Sequence, residues 1–153
     1  MKESITTPGW RSHAPRILSI VRIMAALLFM HVGSAKLFGV PVAVMPGGRT
    51  AVAWTLPWFA GVLEVFGGFL LLIGLFTRPV AFLLSGEMAI AYFKGHAPHG
   101  FWPIVNQGQP AILYCFLWLY YSAAGAGPWS LDARRERATL NRLPQARRPG
   151  AAL

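Results

Sequence analysis

WTLPWFAGVLEVFGGFLLLIGLF, residues 54 to 76, decides how this chain folds. The run holds a single ionisable residue, Glu64, and exceeds the roughly 20 residues that carry an α-helix across about 30 Å of hydrocarbon. A helix apolar on all sides needs either lipid or a large protein core around it. With 153 residues the chain has room for one domain, too small to wrap several such helices. The reading is a membrane span.

Three further apolar blocks surround it. RILSIVRIMAALLFMHVGSAKLF, residues 16 to 38, supplies a first span of about 17–38. Residues 79–93 give a third that needs tilt, local thinning or its flanks to cross. Residues 110–126 give a fourth. The composition agrees: 55% of residues are hydrophobic and 12% charged, against about a quarter charged in soluble domains. Intrinsic disorder is excluded by that hydrophobicity. The expected fold class is all-α, an integral membrane four-helix bundle with spans of about 17–38, 54–76, 79–93 and 110–126. Residues 1–16 are a cytoplasmic leader, 17–131 the membrane domain and 132–153 a basic cytoplasmic tail. The first span reads as an uncleaved signal anchor, because its polar leader is long and no small-residue cleavage site follows it.

Basic residues set the orientation. Lys2, Arg11 and Arg16 precede the first span, Arg78 lies between the second and third, and Arg134, Arg135, Arg137, Arg142, Arg147 and Arg148 follow the fourth. The opposite side carries Arg49 and Lys94, with Lys36 at a helix end. The positive-inside rule puts both termini in the cytoplasm, as an even number of spans requires. Most of the +9 charge is thereby a topology signal. Leu131, Leu140 and Leu143 give the tail the apolar edge of a short surface helix, and each basic residue near anionic lipid contributes about 1 kcal/mol of attraction. The tail has no folded nucleic-acid recognition module. The expected partners are the lipid bilayer, anionic lipid at the tail and other membrane-protein subunits, with no nucleic acid.

The loops are rich in helix breakers. Pro41, Pro46, Gly47 and Gly48 make turns in residues 39–53, and Thr77-Arg78-Pro79 reads as a tight turn between antiparallel helices. GHAPHGFWPIVNQGQP, residues 95–110, holds His96, His99, Phe101 and Trp102, and Pro98 argues against a helix there. Its aromatics suit the headgroup level.

Charged groups inside a span cost about 2.5–3.5 kcal/mol each on insertion scales, so Arg22, His31, Lys36, Glu64 and Glu87 are the informative residues. At 1.5 Å per residue, His31 lies about 10 Å, Glu64 about 15 Å and Glu87 about 9 Å below the outer ends of their spans. Gly61, Glu64 and Gly68 share one helical face, so Glu64 points at a packed neighbour. His31 shares a face with Ser34 and Ala35, and Glu87 with Ala91. The expectation is a cluster of His31, Glu64 and Glu87 in the outer half, able to hold and pass a proton. Lys36 sits nearer the mouth, where it can snorkel and, with His31, orient a quinone or other polar head group. The competing reading is interhelical glue, a His–Glu contact that fixes register.

Other chemistry finds less support. His96 and His99 lack an accompanying CxxC or HExxH, so no metal site is assigned. His31 as the sole intramembrane histidine makes bis-His haem unlikely on ligand count. Cys115, the single cysteine, excludes a self-contained thiol–disulfide mechanism and behaves as a small apolar residue. The aromatics Tyr114, Phe116, Trp118, Tyr120 and Tyr121 read as packing or as one wall of a quinone site. No phosphate loop, serine triad or dinucleotide fingerprint is present.

RIMAALLFMHVGSAKLFGVP, GVLEVFGGFLLLIGLFTRPVAFLLSGEMAIAYFKGHAP and GAGPWSLD together resemble the DoxX family of small four-helix bacterial membrane proteins. The likeness spans about residues 16 to 132. Its specific parts are Arg22 with His31, Gly33 and Lys36; Glu64 with Gly67 and Gly68; Gly74 to Arg78; Met88 with His96; and Gly127 to Asp132. The resemblance implies a bacterial inner-membrane location and, in some members, quinone-coupled thiosulfate oxidation, terminal oxidases or oxidative-stress responses. Where relatives often carry an acid near the start of the last helix, this chain has Gln109-Pro110. The expected function is a redox-associated accessory subunit or quinone-interacting protein. The alternative is a non-catalytic structural or assembly subunit of a larger membrane complex. A transporter ranks last, because four short helices without repeats leave little room for alternating access.

Overall fold

The computed structural model describes residues 9–142, with the backbone alone at Trp10 and Arg11. Lys2, Leu143, Arg147, Arg148 and the side chain of Arg11 lie outside the described residues, as do the ends of the expected leader and tail. The described chain is all-helical. A short 3-10 turn leads into α1 (Ala14–Phe38), followed by α2 (Leu56–Ile73), α3 (Thr77–Ala91), α4 (Gln109–Ala124) and α5 (Leu131–Arg142).

Helix boundaries follow proline and glycine. A proline occupies the first turn of α1, α2 and α4, where its missing N–H is no loss. Gly39 and Gly74 end α1 and α2 in the left-handed conformation, with φ of 68° and 65°. The expected turn at Thr77-Arg78-Pro79 moves back: Gly74 to Phe76 make the turn, and those three residues form the first turn of α3. The reason is a distant cap. Both carboxylate oxygens of Asp132 accept backbone N–H groups at the start of α3, from Phe76 at 2.9 Å and Thr77 at 2.8 Å.

The segment after α3 also differs from expectation. Tyr92–His96 continues α3 directly as a π-turn, and Ala97–His99 adds a 3-10 turn, so Pro98 does not exclude helical geometry around the two histidines. By length and hydropathy α1 and α2 qualify as membrane-crossing helices, whereas α3 with 15 residues and α4 with 16 are shorter.

One apolar core joins Ala26 and Phe29 of α1, Leu71 of α2, Leu84 of α3 and Trp118 and Tyr121 of α4. The exterior is apolar too. Phe66, Phe82 and Leu113 are each 67% exposed, while Arg22, Glu64 and Glu87 are buried. Charge inside and phenylalanine outside inverts the arrangement that water selects. It is the arrangement that lipid selects.

Candidate functional site

The site is built on a close crossing of α1 and α2. A Cβ added at Gly33 would stand 2.8 Å from the Glu64 Cβ and 2.8 Å from the Gly61 carbonyl oxygen. Only a glycine lets the two backbones approach this far. Lys36, one turn beyond Gly33 on the same face, then reaches Glu64, and its Nζ donates to Oε1 at 2.6 Å. Glu64 is 1% exposed and the Lys36 side chain 18%. Lys36 therefore pairs with Glu64 instead of extending freely to the surface.

This pair forms part of the wall of a cavity of 170 Å³, together with Phe29, Met88, His96 and Tyr114. Phe29 and Tyr114 hold their ring centroids 5.0 Å apart and make an aromatic side to it. His96 Nδ1 donates to the carbonyl oxygen of Asn106 at 2.9 Å. That bond places a proton on Nδ1. Asn106 is itself 6% exposed and organises its loop, donating to Gly100 O at 2.7 Å and accepting from Gly108 N at 2.8 Å.

Glu87 adjoins Met88 on α3, is 9% exposed, and lies within electrostatic range of Glu64 and Lys36. Among the described residues neither of its carboxyl oxygens has a hydrogen-bond partner, and neither does Glu64 Oε2. Of the two buried carboxyl groups, one is paired with an ammonium. Buried polar groups are ordinarily satisfied, and three orphaned oxygens in one neighbourhood are an exception that calls for a reason.

His31 does not join them. Its side chain is exposed, outside the cavity wall. The physical reason is azimuth. Gly33 marks the α1 face that meets α2, and two residues on a helix turn the side chain by about 200°. The imidazole at this cavity belongs to His96. In α-helical geometry His96 and Ala91, five residues apart, would diverge by about 140°. The π-turn, with its i→i+5 bonding, returns both to the cavity wall. No residue pattern short of recognising that turn would have placed His96 there.

A second polar centre lies at the other end of the helices. Arg22 is completely buried. Its Nε donates to Ala126 O at 2.9 Å, Nη2 to Trp129 O at 2.6 Å, and Nη1 to Leu72 O at 2.7 Å and to Leu71 O. Leu71 and Leu72 lie in the last turn of α2, where Gly74 N also donates to Leu71 O at 3.1 Å, so the cation adds donors to the helix end and sits at the negative end of its dipole. Around it Tyr121 donates to Leu18 O at 2.7 Å, and Asp132 N to Gly74 O at 2.9 Å. Gly74 allows this closeness, since a Cβ there would stand 3.1 Å from the Arg22 Cζ. Arg22 is thus a structural tie between α1, the end of α2 and residues 125–132. Sequence reasoning singled it out by depth and gave it no role.

The DoxX family model matches residues 17–97, more than half of the chain. A protein of Haemophilus influenzae, described as uncharacterized, is 46% identical over 123 residues, covering 78% of this chain and 91% of that protein. An uncharacterized membrane protein of Mycobacterium tuberculosis is 26% identical over 151 residues, covering 86% of this chain and 92% of its own length. No solved structure matches. With its buried charges, its apolar exterior and these relatives, the chain is a membrane protein that belongs to the DoxX family.

Proposed function

We propose that the chain crosses the bacterial inner membrane four times with both termini in the cytoplasm, residues 17–131 forming the membrane unit and 132–153 a basic tail that attracts anionic lipid. The continuity of α3 supports this. Its 15 α-helical residues pass without a break into the five of the π-turn, giving the 20 that a span requires. The 16 residues of α4 cross with modest local thinning.

Within that frame the Glu64 cavity binds a small polar head group of the quinone class, and the chain serves as a redox-associated accessory subunit or quinone-interacting protein. One observation carries the reading: a cavity that joins a buried Lys36–Glu64 pair to Tyr114 and His96, beside three carboxyl oxygens without partners. Its 170 Å³ is below the roughly 300–1,000 Å³ of a drug-sized ligand's pocket, so a ring fits and an isoprenoid tail must lie in lipid. A bound quinone would supply two-electron, two-proton chemistry. Lys36 orients a carbonyl oxygen by donating to it. Glu64 and Glu87 hold the proton that keeps two acids and one ammonium neutral in an apolar surrounding. Phe29 and Tyr114 exclude water from one side.

The test is the quinone content of protein purified in mild detergent. Wild-type protein should carry close to one quinone per chain, and Glu64→Gln should lower this at least tenfold with helicity unchanged. Folded wild-type protein that carries no quinone and binds no added short-chain quinone overturns the reading.

The structural alternative has its own support. The pair sits at the Gly33–Gly61 crossing, where it also fixes the register of α1 on α2. On that reading the chain is a structural or assembly subunit. Glu64→Gln would then lose the fold, and gentle extraction would recover stoichiometric partner chains.

A further inference from the structure

A larger cavity, 600 Å³, lies at the Arg22 end between the start of α3, residues 124–128 and α5, well apart from the Glu64 cavity. Its wall combines two guanidinium groups, Arg78 and Arg137, with two carboxylates, Glu136 and the Asp132 that caps α3, and an apolar side formed by Phe76, Pro79 and Leu140. The volume falls within the usual range for a small-molecule site. Its position is where the last turn of α4 gives way to the basic helix, which is headgroup depth in the four-span reading.

The wall is built rather than loosely draped. Asp132 ties the first turn of α5 to the first turn of α3 through both carboxylate oxygens. Arg135 lies over the Phe76 ring with its Cζ 5.2 Å from the centroid, a cation–π contact that holds the next turn down. Asp132, Glu136 and Leu140, four residues apart, then share one face of α5, and Ala133 and Arg137 line the cavity beside them. Arg78 is oriented from behind, its Nη1 donating to Ala123 O and to Ser122 O at 3.4 Å. Its Nε and Nη2 make no hydrogen bond among the described residues. Among the described residues the one ion pair is Lys36–Glu64, so Arg78, Arg137 and Glu136 are not neutralised by one another.

Two unpaired guanidiniums next to an unpaired carboxylate match a zwitterion. We infer that this cavity binds the head group of an aminophospholipid of the phosphoethanolamine type, with the phosphodiester between Arg78 and Arg137 and the ammonium on Glu136. Guanidinium matches phosphate by its planar fork of donors. Phe76, Pro79 and Leu140 meet the glycerol and the first methylenes of the acyl chains. Phosphatidylglycerol carries the same phosphodiester but a neutral glycerol in place of the ammonium, which leaves Glu136 without a cation, so the site prefers the ethanolamine head group. This differs from the diffuse attraction of the remaining tail arginines to anionic lipid, which carries no head-group preference.

Native mass spectrometry of the full chain, delipidated and titrated with dioleoyl phosphatidylethanolamine, dioleoyl phosphatidylglycerol or inorganic phosphate, tests the site. One ethanolamine lipid should bind at least tenfold tighter than the glycerol lipid. Arg137→Gln, which removes no hydrogen bond among the described residues, should weaken it at least tenfold, and Glu136→Gln should abolish the preference while leaving phosphatidylglycerol bound. Equal binding of both lipids by wild type, or unchanged binding in Arg137→Gln, overturns the proposal. Inorganic phosphate that displaces the lipid at millimolar concentration would also overturn it, by assigning the cavity to a soluble anion.

Discussion

The Arg22 centre and the Glu64 cavity are both buried and charged, and they are finished differently. Every polar nitrogen of Arg22 has a carbonyl partner, and the turn it holds is capped by Asp132. At Glu64 one oxygen is paired and one is orphaned, and Glu87 has no hydrogen-bond partner among the described residues. A fully satisfied buried network rigidifies; a partly satisfied one costs stability and persists for another reason. The comparison teaches that depth in the membrane marks a charge as informative, whereas completeness of its hydrogen bonds separates scaffold from site.

Substitutions can break that contrast. The largest effect is expected at Arg22→Gln, which leaves several buried carbonyls without donors and should cost on the order of 3–5 kcal/mol, read from unfolding in mixed micelles. A loss below about 1 kcal/mol would remove Arg22 from the scaffold. Gly33→Leu comes next: its side chain would run into Glu64 and Val65, and overpacking of this kind costs about 1–3 kcal/mol. The same variant should displace whatever the cavity holds. Asp132→Ala should cost about 1–2 kcal/mol, a typical loss for a helix cap, with protection of the first amides of α3 falling in hydrogen exchange. Smallest of all is His31→Ala, expected within about 0.5 kcal/mol and without effect on bound ligand, because that side chain faces outward. His96→Ala should instead weaken binding at the cavity and leave stability nearly unchanged.

The sequence made much of this legible. Apolar runs marked α1 to α4 to within a few residues, and the Gly61, Glu64, Gly68 spacing pointed Glu64 at a packed helix. Lys36 was expected nearer the surface than Glu64, free to snorkel, whereas it pairs with that carboxylate. The rest depended on information that local spacing does not contain. Depth along a helix says nothing of azimuth between helices, so His31 stood in for His96. A π-turn shifts every residue beyond it round the axis, and neither Pro98 nor the histidine spacing announces it. The Asp132 cap joins residues 55 apart, and the Arg22 bonds reach more than 100 residues along the chain. Such contacts become visible only once the helices have packed.

The most direct measurement is the double variant Lys36→Met, Glu64→Leu, with melting temperature and retained quinone followed in the same preparation. Exchanging a buried ion pair for apolar residues of similar volume is often neutral or stabilising when the pair is not what holds a fold. The account predicts a melting temperature equal to or above that of wild type and the loss of bound quinone. An unfolded double variant, or a folded one that keeps its quinone, would contradict it.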